Sequence, residues 1–76
     1  MRKFVDERGW RWDVIVGRES WGSLYALFIP GAGVTAQPRQ ALLDAVSLQA
    51  ANEAIDTMHM QELRRLFERS EPKETG

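Results

Sequence analysis

The sequence predicts a small α+β domain, with a three- to four-stranded antiparallel sheet in its N-terminal half packed against a C-terminal pair of short helices. Apolar and polar residues alternate with a period of two in the first half, which is typical of half-buried strands. From Ser47 onwards, apolar residues recur at the three- and four-residue spacing of an amphipathic helix. The 76 residues are enough for one domain of this kind.

The first two strands are predicted as a hairpin over about residues 2–6 and 10–17. A turn-type cluster from Asp6 to Gly9 separates them, and Gly9 is able to take a positive φ. The sequence therefore predicts that the chain reverses direction within four residues.

Trp10 and Trp12 occupy alternate positions of the second predicted strand. Arg11 and Asp13 are expected on the solvent-exposed face of that strand, and only Ile15 breaks the alternation of apolar and polar residues. We therefore expect both tryptophans to face inward, with the C-terminal helices lying over them.

The third strand is predicted over residues 24–29, which are apolar on both faces. This pattern indicates a central strand that is covered on both sides for part of its length. Residues 39–43 fit either a fourth, edge strand or the start of a helix. We favour the strand because Ser47, a few residues further on, has the chemistry of a helix N-cap.

The helical pattern over residues 47–58 and 61–69 fits two helices or one long helix through Met58. We favour two, with a break around Met58 to Met60, because His59 could cap the second helix. Residues 71–76 have no apolar side chain and include a proline, so we expect them to form a disordered tail. The predicted domain therefore spans residues 1–70.

The composition excludes several kinds of site and argues against a secreted or membrane-spanning protein. The chain has no cysteine, which excludes disulfides, thiolate metal sites and cysteine nucleophiles. Its N-terminus lacks the apolar segment of a signal peptide, and no apolar run approaches the roughly 20 residues of a membrane helix. We therefore expect a soluble, cytoplasmic protein that does not contact a membrane.

Motifs for catalysis or cofactor binding are weak. Residues 31–36 match the G-x-G-x-x-A dinucleotide pattern, but Pro38 follows where the phosphate-binding helix would have to run. Ser20 lacks the glycine two residues before it that a nucleophile elbow requires. His59 is the only histidine, and a chain this short scarcely encloses a pocket of roughly a few hundred Å³. We predict no enzyme, and no catalytic, cofactor or metal site.

The segment 17–23 is the candidate partner-binding site. It is flanked by glycines and brings together Arg18, Glu19 and Trp21, and tryptophan beside arginine is typical of a binding hot spot. Trp21 could instead cap one end of the small core. The sequence thus favours a small non-catalytic protein-binding or adaptor module, docking through this loop and an exposed sheet edge onto another protein or a second copy of itself.

The alternative is a nucleic-acid-associated regulatory protein. Trp10 and Trp12, with neighbouring arginines, could form a stacking platform for single strands. Residues 1–40 carry six basic and four acidic side chains, but the whole chain has a net charge of −1. Proteins that bind phosphate backbones usually have a stronger basic excess, so nucleic acid is the less favoured partner.

Overall fold

The computed structural model describes residues 2–19 and 22–73. These residues form two layers, an antiparallel sheet and a pair of helices that cover one of its faces. The predicted α+β class is confirmed, although the sheet has five strands rather than three or four. In chain order the elements are β1 (Arg2–Val5), β2 (Arg11–Arg18), β3 (Leu24–Pro30), β4 (Arg39–Leu43), α1 (Leu48–Thr57), α2 (Met60–Glu68) and β5 (Glu71–Pro72).

The strand order in space is β1-β2-β3-β4-β5, and every neighbouring pair is antiparallel. The first four strands therefore follow one another as a meander. The chain then crosses one face of the sheet as α1 and α2 and returns as β5 beside β4. Residues 39–43 pair with β3 along their whole length, so the favoured strand assignment is confirmed.

Both tight hairpins depend on a glycine in the left-handed region. In the first hairpin the Asp6 amide donates to the Trp10 carbonyl and the Gly9 amide donates to the Asp6 carbonyl. Gly9 has φ +84°, a conformation that strains residues with a Cβ. In the β2–β3 hairpin the Glu19 amide donates to the Ser23 carbonyl and the Gly22 amide donates to the Glu19 carbonyl. Gly22 has φ +94°.

The core lies between the helices and the inner face of the sheet. Trp12 is only 1% exposed, and its ring centroid lies 4.9 Å from that of Phe67 in α2, so its predicted inward orientation is confirmed. Trp10 is half-buried and packs against the rim of the core. The buried apolar residues are Phe4, Trp12, Val14, Leu24, Ala26, Phe28 and Ala41 from the sheet and Ala51, Ile55, Leu63 and Leu66 from the helices.

The helices begin where the sequence predicts. Ser47 is the N-cap of α1, and its hydroxyl accepts a hydrogen bond of 3.1 Å from the Ala50 amide. Met58 and His59 have extended backbone, which produces the expected break. His59 occupies the N-cap position of α2, but its side chain makes no capping hydrogen bond within the described residues. The predicted position is therefore right, whereas side-chain capping is not observed.

The ordered chain continues beyond the predicted boundary at residue 70. Glu71 and Pro72, assigned from sequence to a disordered tail, pair with β4 as the fifth strand. Two contacts stabilise this return: the Lys73 amide donates to the Pro38 carbonyl at 2.8 Å, and Arg39 Nε donates to the Ser70 hydroxyl at 2.8 Å. The rest of the predicted tail, residues 74–76, lies outside the described residues.

Candidate protein-binding surface

The second face of the sheet, here called the outer face, has no helix over it in the described part of the chain. Successive side chains of a strand point to opposite faces, so the residues alternating with the buried ones lie here. Several of them are apolar, and the register places them side by side: Ile15 lies opposite Leu27, and Tyr25 opposite Leu42. The apolar residues of the outer face are Val5, Ile15, Tyr25, Leu27, Ile29 and Leu42.

Leu27 lies at the centre of this surface and is accommodated by a glycine. A Cβ added to Gly17 would lie 2.7 Å from Leu27 Cδ1, closer than such atoms approach in real structures. The missing side chain therefore lets Leu27 lie across β2. The result is an apolar area over β2, β3 and β4, whose members are mostly half-buried, with Leu42 at 52% exposure.

Charges flank the apolar area unequally. On the β1 side, Lys3 Nζ lies 2.9 Å from Asp13 Oδ1, and the exposed Arg11 lies close by in β2. On the β5 side, Glu71 lies opposite Gln40, whose buried Oε1 accepts no hydrogen bond from the described residues. The β1 side thus carries one positive charge in excess, whereas on the β5 side Glu71 is followed at the same-face spacing by Lys73, so these two charges balance.

The two edges of the sheet differ. On the β4 side, β5 pairs with the first two residues of β4. Further along β4, past the end of β5, Arg69 Nη2 donates to the Leu42 carbonyl at 3.0 Å. These contacts use backbone groups that would otherwise be open to another strand. At the other edge, the antiparallel hydrogen-bond alternation directs the backbone groups of Lys3 and Val5 away from β2. The β1 edge is therefore the one that retains backbone groups for pairing.

The predicted partner-binding residues lie at the β2–β3 hairpin. Arg18 is exposed, but it is the last residue of β2 rather than part of a loop. Arg18 is also an even number of positions from Trp12 in the same strand, so the two residues lie on the same face of the sheet, the one that the helices cover. Glu19 is half-buried, and its backbone closes the turn. Trp21 lies outside the described residues, so the predicted hot spot stays a prediction.

Trp10 and Trp12 do not form an open platform for bases. Trp12 is buried, and its indole nitrogen donates to Asp6 Oδ2 at 3.0 Å. The Arg8 guanidinium lies 3.9 Å from the centroid of the Trp10 ring and occupies the place that a base would take. The geometry therefore offers the nucleic-acid alternative no ready stacking surface at these two residues.

A cleft of about 520 Å³ opens between the first hairpin, the start of β4 and α2. It is larger than we expected for a chain of this length, and the half-buried Phe67 ring of α2 forms part of its wall. Its charged lining residues are three arginines and three carboxylates: Arg8, Arg39, Arg64, Asp6, Glu7 and Glu68. These charges balance, so the cleft favours neither an anion nor a cation.

Asp6 is the buried carboxylate behind this cleft, at 6% exposure. Burial raises its pKa, but the hydrogen bond from the Trp12 indole and those from the Trp10 and Arg8 amides lower it, as does the Arg8 charge, and the net pKa lies below the ordinary value. Since the carboxylate accepts all three of these hydrogen bonds, it anchors the hairpin and the central tryptophan.

No family model, curated protein or solved structure gives a significant match to this chain. Among residues 2–19 and 22–73, no three histidine or carboxylate side chains are grouped so as to hold a metal ion. Over the same residues, neither helix has the length and apolar character needed to cross a membrane.

Proposed function

We propose that the protein is a small non-catalytic module that binds another protein through the outer face of its sheet. Both helices cover the inner face, while Leu27, Ile15 and their apolar neighbours have no layer over them in the part of the chain that the structure describes. Covering such a surface is favourable by about 25 cal/mol for each Å² removed from water. Contiguous apolar areas of this kind typically mark interaction sites.

The inventory of side chains supports a non-catalytic role. The single histidine, His59, is exposed at the start of α2, and the most buried carboxylate, Asp6, is occupied by donors from its own hairpin. A catalytic site would need a nucleophile or base within hydrogen-bond reach of a partner group. We also propose a cytoplasmic location, which the cysteine-free composition supports.

Capture of binding partners tests the proposal. The tagged chain is incubated with an extract of its own cells and the bound proteins are quantified. Leu27→Lys places a charge at the centre of the outer face, and we expect it to reduce the bound protein by about ten-fold or more, since charge without a partner is excluded from interface cores. Leu42→Glu, at a position that is already 52% exposed, should act in the same direction with less risk to folding.

The matched control is Val46→Glu. Val46 precedes α1, lies outside the sheet and is 98% exposed, so this change adds a charge elsewhere. It should leave the bound proteins unchanged. If Leu27→Lys folds and still binds them while Trp21→Ala loses them, the β2–β3 hairpin is the binding site and the outer-face proposal is wrong.

A further inference from the structure

We infer that the cleft between the first hairpin, the start of β4 and α2 is a binding site for a small, uncharged, planar aromatic molecule. The cleft shares no lining residue with the apolar area of the outer face, so the inference goes beyond the proposed function and does not depend on it. Three properties of the cleft support it: its size, the aromatic rings in its wall and the placement of its charges.

The size of the cleft suits a small molecule. Its volume of about 520 Å³ lies within the roughly 300–1,000 Å³ of clefts that hold small ligands. Its wall is also held in place by contacts within the chain: the Asp6 carboxylate accepts three hydrogen bonds, and the Arg39 guanidinium donates to the hydroxyl and the carbonyl of Ser70. Binding would therefore not have to order these side chains, which favours affinity.

The rings in the wall favour an aromatic ligand. Phe67 is the centre of a ring cluster and has three aromatic neighbours at centroid distances of 4.9 to 5.2 Å. Its neighbours Phe4 and Trp12 are buried, whereas Phe67 is only half-buried and lines the cleft. A planar ring in the cleft would extend this cluster at the spacing of about 4.5–7 Å that aromatic pairs prefer.

The charges of the cleft favour a ligand without net charge. Two of its six charged residues are not exposed, and both are engaged within the chain: Asp6 accepts from its own hairpin, and Arg39 donates to Ser70. The other four, two arginines and two glutamates, are exposed to solvent and cancel in sum. A charged ligand would lose hydration without gaining a counter-charge of its own, which is unfavourable. An uncharged ring avoids that cost.

An NMR titration of the full, isotope-labelled chain with indole-3-acetamide tests the inference. We expect saturable shifts of the Trp12 indole N–H and of the Phe67 and Gln37 amides, with a dissociation constant on the order of 1 mM for a ligand of this size. The same ring with a charge, as indole-3-acetate or tryptamine, should bind no more tightly. Cyclohexylacetamide, which is apolar but not aromatic, should bind about three-fold or more weakly.

Substitutions in the chain give the matched tests. Ala36→Leu adds bulk to the wall and should weaken binding by about ten-fold or more. Ala32→Leu is the same change at an exposed position of the same loop that does not line the cleft, and it should leave binding unchanged. Phe67→Leu keeps an apolar side chain but removes the ring, and should weaken binding by about three-fold or more. Leu27→Lys, on the outer face, should leave binding unchanged.

Three results would overturn the inference. The absence of a saturable shift up to about 10 mM indole-3-acetamide would show that the cleft does not bind such a ring. Tighter binding of a charged analogue, or equal binding of cyclohexylacetamide, would show that the cleft does not select an uncharged aromatic ring. Equal binding by Ala36→Leu and Ala32→Leu would place the ligand elsewhere on the chain. None of these results bears on the proposed function, which the capture experiment with Leu27→Lys tests separately.

Discussion

Asp6→Ala should destabilise the domain by about 3 kcal/mol, the largest effect that we expect from a single polar substitution. The carboxylate is buried and accepts hydrogen bonds of 2.9 Å from the Arg8 and Trp10 amides and of 3.0 Å from the Trp12 indole. Removing it leaves the buried indole N–H without an acceptor, at a cost of about 1–3 kcal/mol, and loosens the first hairpin as well. Urea unfolding followed by circular dichroism measures the loss.

Asp13→Asn is the matched control. Asp13 is also a strand-associated aspartate with a cationic partner, but its ion pair with Lys3 lies on the outer face and the lysine side chain is 79% exposed. An exposed pair of this kind contributes about 0–1 kcal/mol. If Asp6→Ala cost no more than Asp13→Asn, the buried hydrogen bonds of Asp6 would not be what fixes the hairpin.

The same carboxylate makes stability depend on pH. Because the pKa of Asp6 is lower in the folded chain than its ordinary value of 3.8, the unfolded chain takes up the proton first as the pH falls. Its contribution is complete well above that value and is lost as the pH falls through the folded pKa. Asp6→Asn, which has no titrating group, should therefore lose less stability than the native chain on acidification from about pH 5 to pH 3. Equal losses would contradict the lowered pKa.

Phe67→Ala should cost about 3 kcal/mol, the second large effect. The Phe67 ring is the main contact of α2 with the aromatic part of the core, and its centroid lies 5.2, 4.9 and 5.1 Å from those of Phe4, Trp12 and Phe28. Truncation removes these contacts and enlarges the neighbouring cleft, and a helix of nine residues has little stability of its own. Urea unfolding again provides the measurement.

Met60→Ala serves as the control on the same helix, because Met60 is 38% exposed at its first turn. We expect a loss below about 1 kcal/mol there. Similar losses for Phe67→Ala and Met60→Ala would mean that α2 does not cover the sheet, and the assignment of an inner and an outer face would have to be abandoned.

The elements with strong local signals could be predicted from the sequence. Alternation identified β1 and β2, and a continuous apolar run identified β3. Ser47 located the start of α1 because its hydroxyl caps the helix directly. β5 could not be predicted, since Glu71 and Pro72 have no strand propensity. They pair with β4 because tertiary contacts from Arg39 and Lys73 position them, and such contacts leave no periodic signal in the sequence.

The candidate binding surface was only partly visible in the sequence. Two features of the sequence indicated this surface: Ile15, which breaks the alternation of β2, and the apolar residues on both faces of β3. The pattern of β3 predicts a strand that is covered on both sides. A sequence shows that a strand is apolar on both faces but not whether this chain or another molecule covers the second face. Gly17 lies at the predicted end of the second strand, but the sequence gives no sign that it makes room for Leu27. Asp6 was recognised only as a turn residue, because the partner of its second oxygen is in the next strand.

The most direct test that the outer face binds a partner is a methyl-resolved NMR titration in which a captured partner is added while each methyl resonance is followed. We expect the methyl signals of Ile15, Leu27 and Leu42 to shift or broaden together, while those of Val46 and Leu48 stay unchanged. Changes at Val46 and Leu48 with an unaffected Leu27 would contradict it, because the binding surface would then lie on the helical side of the molecule.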